Sequence, residues 1–179
     1  MRKIILLSGW AGSGKDLLAE YLVKNGYMQF SFASSLKKKV SEHYKFDYNL
    51  TLTQEGKNTK INGMTIRNLL INYAKTERIK NDNIFVEYTF NEIKLLDSYK
   101  TKRGESLCDI VISDLRYNNE IEFLKNRFKN CITIRINRFD KSHVDDISEH
   151  QLDSFKFDYI IENKCSKEYL FKAFTELKI

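Results

Sequence analysis

Ile4-Ile5-Leu6-Leu7-Ser8-Gly9-Trp10-Ala11-Gly12-Ser13-Gly14-Lys15-Asp16 decides the fold. Its four opening apolar residues form a continuous run, the pattern of a strand buried on both faces of a parallel sheet. Gly9 to Asp16 then read G-x-x-x-x-G-K-D. After Gly14 the apolar residues Leu17, Leu18, Tyr21 and Leu22 recur at helical spacing until Asn25-Gly26 stops them. Strand, glycine-rich loop and helix in that order make the setting of a phosphate-binding loop.

The chemistry explains the residue types. Glycines let the backbone turn so that successive N–H groups point inward at phosphate oxygens. The helix N-terminus adds its positive end, and Lys15 neutralises the β- and γ-phosphates. Gly9, Trp10, Ala11, Gly12, Ser13, Gly14, Lys15 and Asp16 are therefore the candidate ATP-binding residues. Asp16 stands where Ser or Thr usually touches Mg²⁺, and a carboxylate can bind that ion directly or through water. The competing reading is a strand-to-helix turn with no nucleotide; flanks, glycine spacing and lysine together argue against it.

Outward from the loop, further strands are predicted over 27–32, 110–112, 132–136 and 159–161, which makes five. A helix follows the second strand, with Leu36, Val40 and Tyr44 on one face. Residues 46–62 are polar and uneven and read as a mobile loop. Residues 65–99 are helical in two pieces, broken near Lys80-Asn81-Asp82-Asn83. Leu170, Ala173, Phe174 and Leu177 mark a final amphipathic helix. Strands alternating with helices predict an α/β fold, a parallel sheet covered on both faces.

The chain has 179 residues and is 42% hydrophobic, which suits one globular domain and excludes a disordered chain. The first apolar run is four residues long and nothing exceeds it, so no membrane span is expected. Cys108, Cys131 and Cys165 lie far apart, which fits a reducing cytoplasm better than a disulfide scaffold. The net charge of +6 raises a nucleic-acid partner, but no basic stripe with interleaved aromatics accompanies it. Phosphorylated small ligands or solvated lysines account for it as well.

The strand at Ile110-Val111-Ile112 ends in Ser113-Asp114-Leu115-Arg116-Tyr117-Asn118-Asn119-Glu120. Ligands of α/β sheets sit at the carboxyl ends of strands. Asp114 there can orient Mg²⁺-bound water or accept from a substrate hydroxyl, or it can cap the following helix. Arg116 presents a planar fork suited to a phosphate. Arg67, Arg78, Arg135 and Arg138 are further candidate phosphate ligands, and Lys37 follows the second strand closely. Phe85 opens a helix and reads either as core or as a platform for a base.

Taken together, these stretches resemble the phage-type deoxynucleoside monophosphate kinases, a branch of the P-loop kinases. In that family Asp after the loop lysine is usual, as Asp16 is here, although Leu17 stands where Thr is normal. Phe32-Ala33-Ser34-Ser35-Leu36-Lys37 is similar to the family's acceptor-contacting segment. Arg67-Asn68-Leu69-Leu70 with Thr76-Glu77-Arg78 resembles the stretch that cradles the acceptor monophosphate, with Ile71 in place of Gln and Ala74 in place of Gly. Phe85 stands where Trp is frequent. Asp114-Leu115-Arg116-Tyr117-Asn118-Asn119-Glu120 is similar to Asp-x-Arg-x-x-Asn-Glu. Ser148-Glu149 with Leu152, then Asp158-Tyr159-Ile160-Ile161-Glu162-Asn163, resembles the C-terminal signature, where Asn163 passes the adenine of ATP.

The resemblance implies a three-layer α/β/α kinase with a five-stranded parallel sheet, a helical acceptor-binding region and a small lid. The core is expected over about 1–45 and 108–179, the acceptor region over 46–107 and the lid over 137–150. It implies transfer of the γ-phosphoryl of ATP to a deoxynucleoside 5′-monophosphate with Mg²⁺. Lys15, Asp16, Asp114, Arg116 and Arg138 would be catalytic. Ala33, Lys37, Arg67, Arg78, Phe85, Asp114, Arg116 and Asn119 would bind the acceptor. Asp16 and Asp114 would hold the metal, through water. Arg135, Arg138 or Lys141 would close over the transfer. A homodimer in the host cytoplasm of a virus fits, with no membrane partner. Phosphomevalonate and dephospho-coenzyme A kinases have similar loops or layouts and remain alternatives, as does a nucleic-acid-processing ATPase.

Overall fold

The structure, a computed structural model, describes residues 2–138, 150–164 and 166–179. These divide into two compact units, Phe32–Glu92 and the remainder of the chain.

The larger unit is built on five parallel strands. They are β1 (Ile4–Ser8), β2 (Met28–Phe30), β5 (Ile110–Ile112), β6 (Cys131–Asn137) and β7 (Tyr159–Glu162), in the spatial order β2-β5-β1-β6-β7. β1 is central and buried at every residue, which is why it reads as an unbroken apolar run. Ile4 pairs with Ile110 on one side and Cys131 on the other. Burial pushes the Cys131 thiol up to about 12.

Alternate strand residues face opposite sides. Ile5, Leu7, Val111, Ile134, Ile136 and Ile161 form one core with Leu18, Ala19 and Leu22 of α1 (Lys15–Lys24) and Leu170 of α7 (Lys167–Glu176). Tyr21 stacks on Phe171 at 4.3 Å between those two helices. Ile4, Leu6, Ile110 and Ile112 are as deeply buried on the other side of the sheet, with Ile121 and Leu124 of α6 (Asn118–Lys125) buried too. This is the expected α/β arrangement of helices on both faces of a five-stranded parallel sheet.

Several strand boundaries differ from the sequence reading, and β6 is Cys131–Asn137 rather than 132–136. The second strand is Met28–Phe30 rather than 27–32, because its partner β5 has only three residues to pair with. The last strand runs on to Glu162. The 137–150 lid and Lys141 fall almost wholly outside the described residues, since 139–149 are not among them.

The smaller unit is helical. It holds α2 (Phe32–Tyr44), a 3-10 turn (Tyr48–Thr51), α3 (Gln54–Asn58), the hairpin β3 (Lys60–Ile61) and β4 (Met64–Thr65), α4 (Ile66–Lys80) and the first half of α5 (Ile84–Lys102). The break between α4 and α5 falls where predicted, with Asn81 Oδ1 accepting from the Asn83 N–H at 2.9 Å. Residues 46–62, read as a mobile loop, are instead a run of short capped elements. Asp47 accepts from the Asn49 N–H and Thr53 Oγ1 from the Gly56 N–H. Gly56 lies so close to the 3-10 turn that a Cβ would stand 2.3 Å from the Leu50 carbonyl oxygen. Asn62-Gly63, both at positive φ, make the tight hairpin turn.

Candidate functional site

The loop between β1 and α1 is wound as its sequence requires. Gly9 and Gly14 hold φ of 146° and 109°, conformations that L side chains rarely adopt. At Gly9 a Cβ would stand 2.3 Å from the Ile136 carbonyl oxygen, so only glycine lets the loop lie down on β6. The Ser13 N–H donates to the Trp10 carbonyl at 3.0 Å and the Leu18 N–H to the Gly14 carbonyl at 3.0 Å, starting α1. Lys15 bends back over the loop, its Nζ donating to the Trp10 carbonyl at 2.9 Å. Asp16 lies exposed in the first turn of α1.

The loop is braced from below. Asn163, just past β7, is buried, and its Nδ2 donates to the Ser13 carbonyl at 2.8 Å. Arg135 of β6 is buried as well. Its Nη1 donates to Ser8 Oγ at 3.1 Å and its Nη2 to Asp153 Oδ1 at 2.9 Å. Asp153 Oδ2 meets His150 Nδ1 at 2.8 Å, and the His150 ring lies edge-on to Trp10 at 5.2 Å. Arg135, read as a candidate phosphate ligand, thus spends its fork on Ser8 and Asp153. Arg138 is half-buried just beyond β6.

Asp114 follows β5 and is half-buried; Ser31 Oγ donates to its Oδ2 at 2.8 Å. The carboxylate that caps α6 is Glu120, whose Oε2 accepts from the Arg116 and Tyr117 N–H groups at 2.9 and 3.1 Å. Arg116 and Asn119 are half-buried around that helix start.

The candidate acceptor residues of the smaller unit fall into two groups. Arg67, at the start of α4, donates through Nη2 to Gln54 Oε1 at 2.5 Å. Lys57 is three residues beyond Gln54 on α3. Burial and the nearby cations Lys37 and Arg67 hold its ammonium below the usual lysine range. Lys37, Lys57 and Arg67 therefore form one cationic group. Arg78 forms the other: its guanidinium lies 4.9 Å from the ring centroid of Phe85, which is 2% exposed. Phe85 is thus core rather than an open platform. Eleven residues separate Arg67 from Arg78, three turns and about 16 Å along one helix face. Ala33 is half-buried on α2. A cavity of about 460 Å³ opens beside α2, lined by Ser34, Lys38, Ser41, Glu42, Tyr48 and Glu92.

Sequence reasoning missed Lys57, which carries no local signal; only the folding of α3 against α4 reveals it. It also missed Glu120 as the cap, although a glutamate three residues into a helix is a standing sign of one. Among the described residues no three His, Cys, Asp or Glu gather as a metal cluster, and no helix is long and apolar enough to cross a membrane.

No protein-family model matches the chain. A curated protein of Acanthamoeba polyphaga mimivirus, named "Putative deoxynucleotide monophosphate kinase", is 30% identical over 181 residues, covering 93% of this chain and 91% of that protein. Among solved structures, TT1252 from Thermus thermophilus is similar with a TM-score of 0.50 at 19% identity, over 99% of this chain and 96% of that one. Shikimate kinase from Bacteroides thetaiotaomicron follows with a TM-score of 0.48 at 15% identity, over 98% and 96%. The likeness to TT1252 speaks for the fold alone.

Proposed function

The chain belongs to the deoxynucleotide monophosphate kinase family of P-loop kinases, and from that premise we propose that it moves the γ-phosphoryl of ATP to the phosphate of a deoxynucleoside 5′-monophosphate. The observation that carries the reading is the Gly9–Asp16 loop, wound between a central strand and a helix N-terminus with Lys15 folded over it. Its N–H groups hold the triphosphate. Lys15 exchanges the Trp10 carbonyl for phosphate oxygens and follows the charge through transfer.

The donor set fits Mg²⁺, which keeps several waters and takes one or two carboxylates plus phosphate oxygens rather than an all-protein cage. Asp16 and Asp114 would hold it, through water, with Ser31 fixing the Asp114 carboxylate. The ion would neutralise charge between the phosphates. For the acceptor, Arg116 and Asn119 would serve from the larger unit, and Lys37 with Arg67, and separately Arg78, from the smaller. Ala33 leaves room beside Lys37, and Phe85 acts by supporting Arg78. Arg138 stabilises the transferring group. Asn163 would stand beside the bound ATP. Residues of about 1–45 and 108–179 would serve as the ATP-binding core and about 46–107 as the acceptor-binding region.

The test is ADP release from Mg²⁺-ATP with each of the four deoxynucleoside monophosphates, with AMP, GMP, phosphomevalonate, dephospho-coenzyme A and a DNA 5′ end for comparison. Turnover with one or more deoxynucleotides, abolished in Lys15→Ala and Arg116→Ala, is expected. Turnover confined to a non-nucleotide acceptor or to DNA would overturn the acceptor assignment.

A further inference from the structure

The end of the sheet sets the aim of the phosphate loop. Asn163 is anchored twice. Its backbone N–H donates to the Asn137 carbonyl at 2.8 Å, continuing the ladder of β6 and β7 by one rung. Its neighbour Glu162 receives the Asn137 Nδ2 at 3.0 Å. So held, and 8% exposed, Asn163 extends its amide under the loop and donates to the Ser13 carbonyl at 2.8 Å. The loop accepts it closely: a Cβ on Gly14 would stand 2.8 Å from Asn163 Nδ2 and 3.0 Å from Leu170 Cδ2. A carbonyl oxygen at that distance can face only the NH₂ end of the amide.

A trans peptide is planar, and its C=O and N–H point in opposite directions. Drawing the Ser13 carbonyl inward therefore turns the Gly14 N–H outward. Gly14 has no side chain to resist the opposite orientation, in which a carbonyl oxygen would face the phosphates. We infer that Asn163 is a positioning residue of the phosphate loop: its side-chain amide fixes the Ser13–Gly14 peptide so that the Gly14 N–H faces the bound phosphate. This rests on the reading that the loop holds a nucleoside triphosphate. It gives Asn163 a part in phosphate binding that needs no contact with the base.

Phosphate and base contributions separate with two probes, Mg²⁺-ATP and inorganic tripolyphosphate with Mg²⁺. Binding is followed by calorimetry and by the emission of Trp10, the single tryptophan of the chain, which sits in the loop itself. Asn163→Leu keeps the branched outline, with bulkier methyls, and removes the donor. It should weaken both probes by about tenfold, the worth of one hydrogen bond at a charged site, raise KM for ATP and leave KM for the acceptor unchanged. Asn163→Asp, which keeps the shape but turns an acceptor on the Ser13 carbonyl, should do the same and replaces Asn163→Leu if that variant does not fold. Loss of ATP affinity with tripolyphosphate unaffected would overturn the inference in favour of a base contact. Unchanged binding of both would overturn it outright. Failure of the unaltered protein to bind either probe would overturn the functional reading and this inference with it.

Discussion

Lys57 gives up part of its hold on a proton because two other cations share its surroundings. Burial comes first, then Lys37 and Arg67, and all three favour the neutral amine. A site that gathers positive charge in this way is tuned for an anion, which would restore the proton on arrival. If the acceptor phosphate is that anion, Lys57→Met should raise the acceptor KM by about tenfold with kcat nearly unchanged, the signature of lost ground-state binding. The sign of the pH effect follows. Acceptor binding holds while Lys57 is protonated and fails as pH rises through its lowered pKa. The acceptor KM should therefore climb at a lower pH than an ordinary lysine would produce, and that climb should disappear in Lys57→Met. Steady-state kinetics across the alkaline range measure both. The residue was invisible in sequence because a lysine in a polar stretch looks like any solvated lysine. Lys15, by contrast, was legible at once, since its glycines and flanking apolar run leave few other uses for it.

At the scale of elements, β6 and β7 are joined by more than their ladder. Asp158, one residue before β7, accepts from the Thr133 N–H and Oγ1 at 2.8 and 2.7 Å and from Lys125 Nζ of α6 at 3.0 Å. Burial alone would raise its pKa, but the Thr133 hydrogen bonds and Lys125 outweigh it and hold the carboxyl below the usual carboxylate range. A depressed native pKa adds stability that is fully present above the unfolded value, near 4, and is lost as pH falls through the native one. Asp158→Asn should therefore cost about 1 kcal/mol of stability at most at neutral pH, because the carboxylate is partly exposed to water, a loss read as a lower urea midpoint. The gap between variant and parent should begin to narrow below about pH 4 and close as pH falls through the lower native pKa. A constant gap down to pH 2 would show that lost packing, not charge, is responsible.

Elements with a strong period were legible: β1, α1, the broken α4–α5 pair and α7 stand close to where spacing put them. The 46–62 segment was not. Its pieces are two to five residues long, too short to show a period, and they owe their order to caps at Asp47 and Thr53 and to the contact of Gly56 with Leu50. Asn62-Gly63 at its end, a dipeptide that favours a tight hairpin, was passed over in that reading.

Over the whole molecule, sequence order and spatial order part company. β1 comes first in the chain yet lies third of five, between β5 and β6, so three crossover connections, to β2, to β5 and to β6, must be complete before it is enclosed. The alternation of strands and helices foretold a parallel sheet but not that order, which depends on long-range pairing. The division at Ser31 and Glu92 was likewise beyond reading, because α5 passes through the boundary as one uninterrupted helix. The central position of β1 also gives the thiol beside it a second use. Alkylating reagents attack the thiolate, and with its pKa near 12 Cys131 supplies almost none while the strands remain paired. In a Cys108→Ser, Cys165→Ser background, iodoacetamide should label half-buried Cys131 slowly, and faster whenever the edge of β6 comes away from β1. Its rate then becomes a clock for breathing at the middle of the sheet, one that ATP should slow if the loop closing that strand is where ATP sits.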